Sequence, residues 1–178
     1  MIQFFSRLIP SGLAVCLLLM SGALVAQEAG SQTTTANNDA QTEDTRVYVK
    51  KVKKPLPEVY NKVFTALENG GYFVLFEPNI GKNLEHFAQR WGDDYNRNKI
   101  EEIRSLVFSN AWYVNQISNL DPELLALSPL HLTLTHKQGM TTLLFIRPAQ
   151  VAADSPAKKV ATELENDVIN TIERIVFY

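Results

Sequence analysis

A chain of 178 residues, 46% of them hydrophobic, is long enough for one well-filled core, and its formal net charge of −2 carries none of the basic excess of a nucleic-acid binder. The single cysteine, Cys16, excludes an internal disulfide framework and a multi-cysteine metal site.

Residues 1–26 read as a secretory signal: Arg7 precedes an apolar core from Leu13 to Met20, and small residues follow at Ser21, Gly22, Ala23 and Ala26. The competing reading is an uncleaved anchor, because the charge-free stretch from Leu8 to Ala26 is nearly of bilayer length. Pro10, Ser11 and Gly12 interrupt its start and Ser21 and Gly22 its end, which favours cleavage, after Ala26 or alternatively after Ala23. Cys16 follows Val15 inside the apolar run, so it does not stand where a lipidated cysteine would. It leaves with the signal, and thiol chemistry leaves with it. The expected location is the bacterial envelope, periplasmic or secreted, without stable membrane insertion after cleavage. Residues 27–45 contain no aromatic or large aliphatic side chain and read as a disordered polar linker.

The folded domain is expected over 46–178. Val47, Tyr48, Val49 and Val52, interleaved with Lys50, Lys51, Lys53 and Lys54, suggest a strand at a sheet edge, where lysines and Pro55 discourage pairing with other chains. The same lysines could serve a polyanion or an anionic lipid, but edge protection suffices to explain them. Pro57 suits a first helical turn, Val59, Tyr60, Val63, Phe64 and Leu67 follow at helical spacing, and Asn69-Gly70-Gly71 stops the helix. Tyr72 to Phe76 is an unbroken apolar run and predicts a buried strand. A second amphipathic helix is predicted from Leu84, Phe87, Ala88 and Trp91, ending at Gly92; Asp93 to Lys99 is a polar loop.

Ile103 to Phe108 predicts a central strand, and Asn110 is placed to cap a helix bearing Trp112, Tyr113, Val114 and Ile117. A short helical turn from Asp121-Pro122-Glu123 precedes Ser128-Pro129. Leu130, Leu132 and Leu134 alternate with His131, Thr133 and Thr135, and Lys137-Gln138-Gly139 turns the chain into Thr142 to Ile146 as a hairpin. A last helix, with Ser155 as cap and Pro156 at its first position, carries Val160, Leu164, Val168, Ile172 and Val176 on one stripe. The order β-α-β-α-β-α-β-β-α predicts a single compact α+β domain with helices packed on a mixed sheet.

Three landmarks within this order are Glu68-Asn69-Gly70-Gly71-Tyr72, Val107-Phe108-Ser109-Asn110-Ala111, and Leu127-Ser128-Pro129-Leu130-His131-Leu132 leading to Arg147-Pro148. On these the chain resembles the bacterial domain of unknown function 302 family over roughly Val59 to Tyr178. The resemblance implies a compact α+β fold, often dimeric, with no established general activity. Ala111 stands where that family commonly has Pro, and Ser109 and Leu130 stand where some relatives carry cysteine, so no thiol-dependent role carries over.

Chemistry is harder to find than packing. His131 and His136 are five residues apart on one strand and point to opposite faces, while His86 belongs to a different helix, so no metal site is expected. There is no Gly-x-Ser-x-Gly elbow, and Gly70-Gly71 follows a helix instead of preceding one, the wrong order for a phosphate loop. Asp93-Asp94 and Glu101-Glu102 read as solvated charges. The nominated ligand-binding residues are Asn110, Trp112 and His131, polar and aromatic groups near strand ends, although capping alone accounts for Asn110. No catalytic residue and no cofactor is expected. The expected role is a non-enzymatic exported domain binding a small ligand or an envelope protein. An enzyme acting on a small envelope metabolite near Asn110 and His131 is one alternative, and a structural homodimer using Tyr113, Phe177 and Tyr178 is another.

Overall fold

The computed structural model describes residues 46–176; the signal and linker expected at 1–26 and 27–45, together with Phe177 and Tyr178, lie outside the described residues. In chain order the elements are β1 (Val47–Val52), α1 (Leu56–Asn69), β2 (Phe73–Phe76), α2 (Ile80–Glu85), α3 (Ala88–Trp91), β3 (Glu102–Ser109), α4 (Ala111–Leu120), β4 (Leu130–Lys137), β5 (Met140–Ile146), α5 (Pro148–Val151) and α6 (Lys158–Val176). Short 3-10 turns occupy Gly92–Asp94 and Pro122–Leu127.

The five strands form one sheet in the order β1-β5-β4-β3-β2, and every neighbouring pair is antiparallel. The α+β class is as expected, but the sheet is not mixed. The connections explain why: β1 and β2 lie at opposite edges, so α1 carries the chain across the sheet and creates no parallel neighbours. The lysine-rich β1 sits at an edge, pairing only with β5.

Register sorts the side chains onto two faces. Leu106, Leu132 and Phe145 are cross-strand partners on one face, as are Leu134 with Leu143 and Phe108 with Leu130, and all seven are buried. α1 covers this face with Leu56, Val59, Val63 and Leu67, and α6 with Ala161, Leu164, Val168 and Ile172. Each Val, Leu, Ile or Phe among them contributes about 1.5–3 kcal/mol by leaving water. The hairpin between β4 and β5 turns at Gln138 and Gly139, with φ of 51° and 74°, the left-handed pair that matches the twist of the strands.

α1 ends in a Schellman motif. Gly71, at φ 78°, lets its N–H reach the Glu68 carbonyl at 3.1 Å and the Tyr72 N–H reach the Leu67 carbonyl at 3.0 Å. Tyr72 is thereby driven into the core, where it is fully buried. The rest of its apolar run behaves differently from expectation. Phe73, Leu75 and Phe76 are 60%, 62% and 64% exposed, because β2 is a short edge strand paired only with β3 and its register breaks between Val74 and Phe76. The helix expected around 80–91 is likewise two short pieces, α2 and α3, interrupted at His86 and Phe87 and without a buried residue. α6 begins at Lys158; Ser155 caps the preceding turn by accepting from the Ala157 N–H at 3.0 Å.

Polar ties cross the layers. Tyr48 on β1 donates to Glu173 on α6 at 2.5 Å, Tyr60 on α1 donates to Glu77 at 2.5 Å, and Tyr72 donates to Asp167 on α6 at 2.8 Å. In all three, burial raises the phenol pKa first and the accepting carboxylate raises it further. Glu173 is also held by Lys50 at 2.6 Å; burial pushes its carboxyl up, but the bonds from Lys50 and Tyr48 outweigh that and hold it below the ordinary carboxylate range. Arg104, on the covered face of β3, lies 4.0 Å from the centre of the Tyr60 ring. Glu165, only 2% exposed on α6, takes the Arg147 guanidinium at 2.7 Å and the Ala149 N–H at 3.0 Å.

Two outcomes follow for stability. Arg147→Ala strands the buried Glu165 carboxylate and is expected to cost about 3 kcal/mol, checked by urea unfolding at neutral pH. The three tyrosines hold their protons to higher pH in the folded than in the unfolded chain. Their contribution is therefore complete below pH ~10, the ordinary tyrosine value, and is lost as pH rises through the raised folded values. Thermal melts between pH 8 and 11 should show the midpoint falling from about pH 10 upward, with a smaller fall in Tyr48→Phe.

Candidate functional site

Asn110 stands between β3 and α4 with every side-chain polar atom engaged. Its Oδ1 accepts from the backbone N–H groups of Trp112 at 3.0 Å and Tyr113 at 3.2 Å, and its Nδ2 donates to the Gly71 carbonyl at 3.0 Å. It caps α4 and ties that helix to the turn that ends α1. The hollow beside it, lined by Tyr113, Ile117, Leu124, Leu130 and Leu164, has a volume of about 20 Å³, space for little more than a water molecule.

The other two nominated residues do not join Asn110 there. Trp112 is 65% exposed on α4. His131 is exposed and pairs with Val107, on the sheet face opposite the buried Leu130 that lines the hollow. The sheet itself thus separates His131 from the Asn110 hollow. Tyr113, expected to offer exposed apolar area, is half-buried and stacks on Tyr72 at 6.5 Å between ring centres.

His136 shares the covered face with Leu134, and its surroundings fix its tautomer. Thr141 Oγ1 donates to the Lys54 carbonyl at 2.7 Å, so it accepts from His136 at 2.9 Å, which places a proton on Nδ1. Nε2 faces Glu101 Oε2 at 3.9 Å. His86 is exposed between α2 and α3. Among the described residues no three His, Cys, Asp or Glu side chains gather into a cluster able to hold a metal ion.

A much larger space opens where α2, α3 and the following loop lean on the start of β3. This cleft has a volume of about 690 Å³, within the range of small-molecule sites. Gly81 makes the approach of α2 possible, since a Cβ there would lie 3.1 Å from the Ile103 backbone nitrogen. Pro78 anchors the near end by accepting from the Ser105 N–H at 3.1 Å. The far wall is a clamped loop: Asn96 donates from Nδ2 to the Ile100 carbonyl at 2.8 Å and accepts the Ile100 N–H on Oδ1 at 2.9 Å. Asn96 and Lys99 take φ of 44° and 52° to close it.

Aromatic and charged side chains share the cleft. Trp91 is 41% exposed and stacks on Phe87 with 5.1 Å between ring centres, and Tyr95 is half-buried. Asp94 pairs with Arg97, and Glu101 accepts the Gln138 N–H at 3.0 Å. Lys82, Glu85, Lys99 and Glu102 also line the space. Residues 93–99 read from sequence as a polar loop and Glu101-Glu102 as solvated charge, so none of this site was nominated. The available signal was Tyr95 in the middle of that polar stretch, together with two large aromatics, Phe87 and Trp91, in a segment containing Gly81.

A model of the family described as "Domain of unknown function DUF302" matches residues 48–175. The chain belongs to the DUF302 family. Among solved structures it resembles an uncharacterised conserved DUF302 protein from Bacillus stearothermophilus, with a TM-score of 0.63 and 19% identity, over 74% of this chain and 98% of that one. That likeness establishes the fold. No curated protein matches the chain. The family match spans both the Asn110 cap and the cleft, and its description assigns an activity to neither.

Asn110→Ala removes two capping bonds and the tie to Gly71, and should cost about 1–2 kcal/mol. Trp112→Ala, at a mostly exposed position, should stay within about 0.5 kcal/mol of the parent. Chemical denaturation of the two variants side by side checks the contrast.

Proposed function

We propose that this DUF302 protein is an exported, non-enzymatic domain that binds a small ligand in the cleft between α2, α3 and the start of β3. The observation that carries the reading is the cleft itself, whose size, aromatic wall and unengaged charged side chains suit a small polar molecule. The Asn110 hollow is too small for one and its cap is already satisfied. Binding is favoured over catalysis because no Ser, Cys or His lines the cleft, leaving its carboxylates and ammonium groups without a conventional nucleophile to activate. Export rests on the signal-like order of residues 1–26.

A second reading, a homodimer, is favoured by the other sheet face. There Val49, Phe73, Phe76 and Ile146 are exposed, on the side opposite the one covered by α1 and α6. Pairing of two such faces would make the domain an interaction module.

Expression with the native N-terminus in a bacterial host should yield an envelope fraction whose mass corresponds to a start at Gln27 or Leu24. Intact-mass spectrometry of that fraction reads it, and retention of Met1 in membranes would overturn cleavage and release. Light scattering on the same material decides between monomer and dimer. In a ligand screen read by thermal shift, Trp91→Ala should abolish any stabilisation that the parent shows, while Asn110→Ala should preserve it.

A further inference from the structure

We propose that the cleft beside α2 takes a small zwitterion, its ammonium group held by Trp91 and the carboxylates of Glu85 and Glu102, its anionic group by the lysines Lys82 and Lys99. The inference rests on the reading of this cleft as a ligand site and names the class of ligand.

Where the structure ties opposite charges together they meet directly: Lys50 with Glu173, Lys54 with Glu58, Arg147 with Glu165. In the cleft Asp94 does so, with Arg97. Among the described residues, none of the side chains of Lys82, Glu85, Lys99 and Glu102 makes an ion pair or a hydrogen bond, although all four line one space. Asp94 is answered by Arg97 and Glu101 is tied to the Gln138 N–H, so the four open groups are two cations and two anions, and a ligand of single sign drawn to one pair is repelled by the other. A molecule bearing both charges turns each of the four contacts favourable. The aromatic wall adds direction, because a cation is attracted to the face of an indole more strongly than to any other side-chain ring. Trp91 is steadied for this role by its stack on Phe87.

The cleft is also built to hold its shape. The Asn96 clamp on Ile100 fixes the loop that carries Lys99, and the close approach at Gly81 fixes the helix that carries Lys82 and Glu85. Less ordering is then required when a ligand arrives.

The test uses the whole protein carrying Trp112→Phe, which leaves Trp91 as the only one of the two tryptophans to report by fluorescence. The probes are 4-aminobutyrate and 6-aminohexanoate, each compared with the amine and the carboxylate of the same length. The expected result is quenching or a spectral shift of Trp91 by at least one of the two zwitterions, at a concentration roughly tenfold below that required by either single-charge analogue. Glu85→Gln and Lys99→Gln, both at exposed positions, should each remove that advantage. An amine or a carboxylate that binds as well as the zwitterion overturns the proposed ligand class while the cleft stands as a site. Calorimetric binding of a zwitterion that Trp91→Ala leaves unchanged places the ligand elsewhere and overturns both readings. No binding of either zwitterion overturns the proposal made here.

Discussion

Tyr72 ties the layers of the fold together. It is reached by the turn at Gly70 and Gly71, its ring meets Phe108 of β3 edge-on at 5.6 Å and stacks on Tyr113 of α4, and its hydroxyl ends on Asp167 of α6. One side chain therefore joins the end of α1, the sheet and two further helices. The hydroxyl must find an acceptor because it lies within an apolar layer, and a carboxylate at the edge of that layer serves. Tyr48 and Tyr60 repeat the device at other places between helix and sheet, with Glu173 and Glu77 as acceptors. In each case the ring adds apolar area while the oxygen fixes direction, so the layers are both stuck together and held in register.

The parts of the architecture that could be read from the sequence are those that local chemistry determines. Strict alternation from Leu130 to Thr135 sorts a strand into two faces without reference to anything else. Gly71 answers a left-handed backbone requirement, and Asn110 answers the need of a helix start for an acceptor. The exposure of β2 was not legible in the same way. An apolar run gains burial only if something lies over it, and Phe73 to Phe76 fall at an edge that α1 has already crossed. Hydrophobicity states what a segment would gain from a cover; the topology decides whether one is present. The three tyrosine ties join residues 125, 17 and 95 positions apart, separations at which no spacing rule operates.

The cleft escaped notice for a related reason. Its charges are ordinary one by one, and each has a sufficient explanation as solvated surface. What gathers them around one cleft is that the segment from Asn79 to Ile103 folds back on itself, an arrangement that depends on Gly81 fitting against β3 and on Asn96 gripping Ile100. Asn110 presents the reverse case. It was conspicuous because capping residues are conspicuous, and its bonds are consumed by the structural task that made it so.

Core and cleft are consequently supported by different forces. The sheet and its two long helices are stabilised by burial, with Leu56, Val63, Leu67, Leu106, Leu132 and Ile172 removed completely from water. α2 and α3 contain no buried residue, and the wall they provide is held by hydrogen bonds and by close backbone approach. Substitutions on that wall remove little apolar burial, so the lining of the cleft can change without unsettling the core. A ligand that bridges Lys82 or Glu85 on α2 to Lys99 beyond the Asn96 turn would supply the link between the two walls that burial does not.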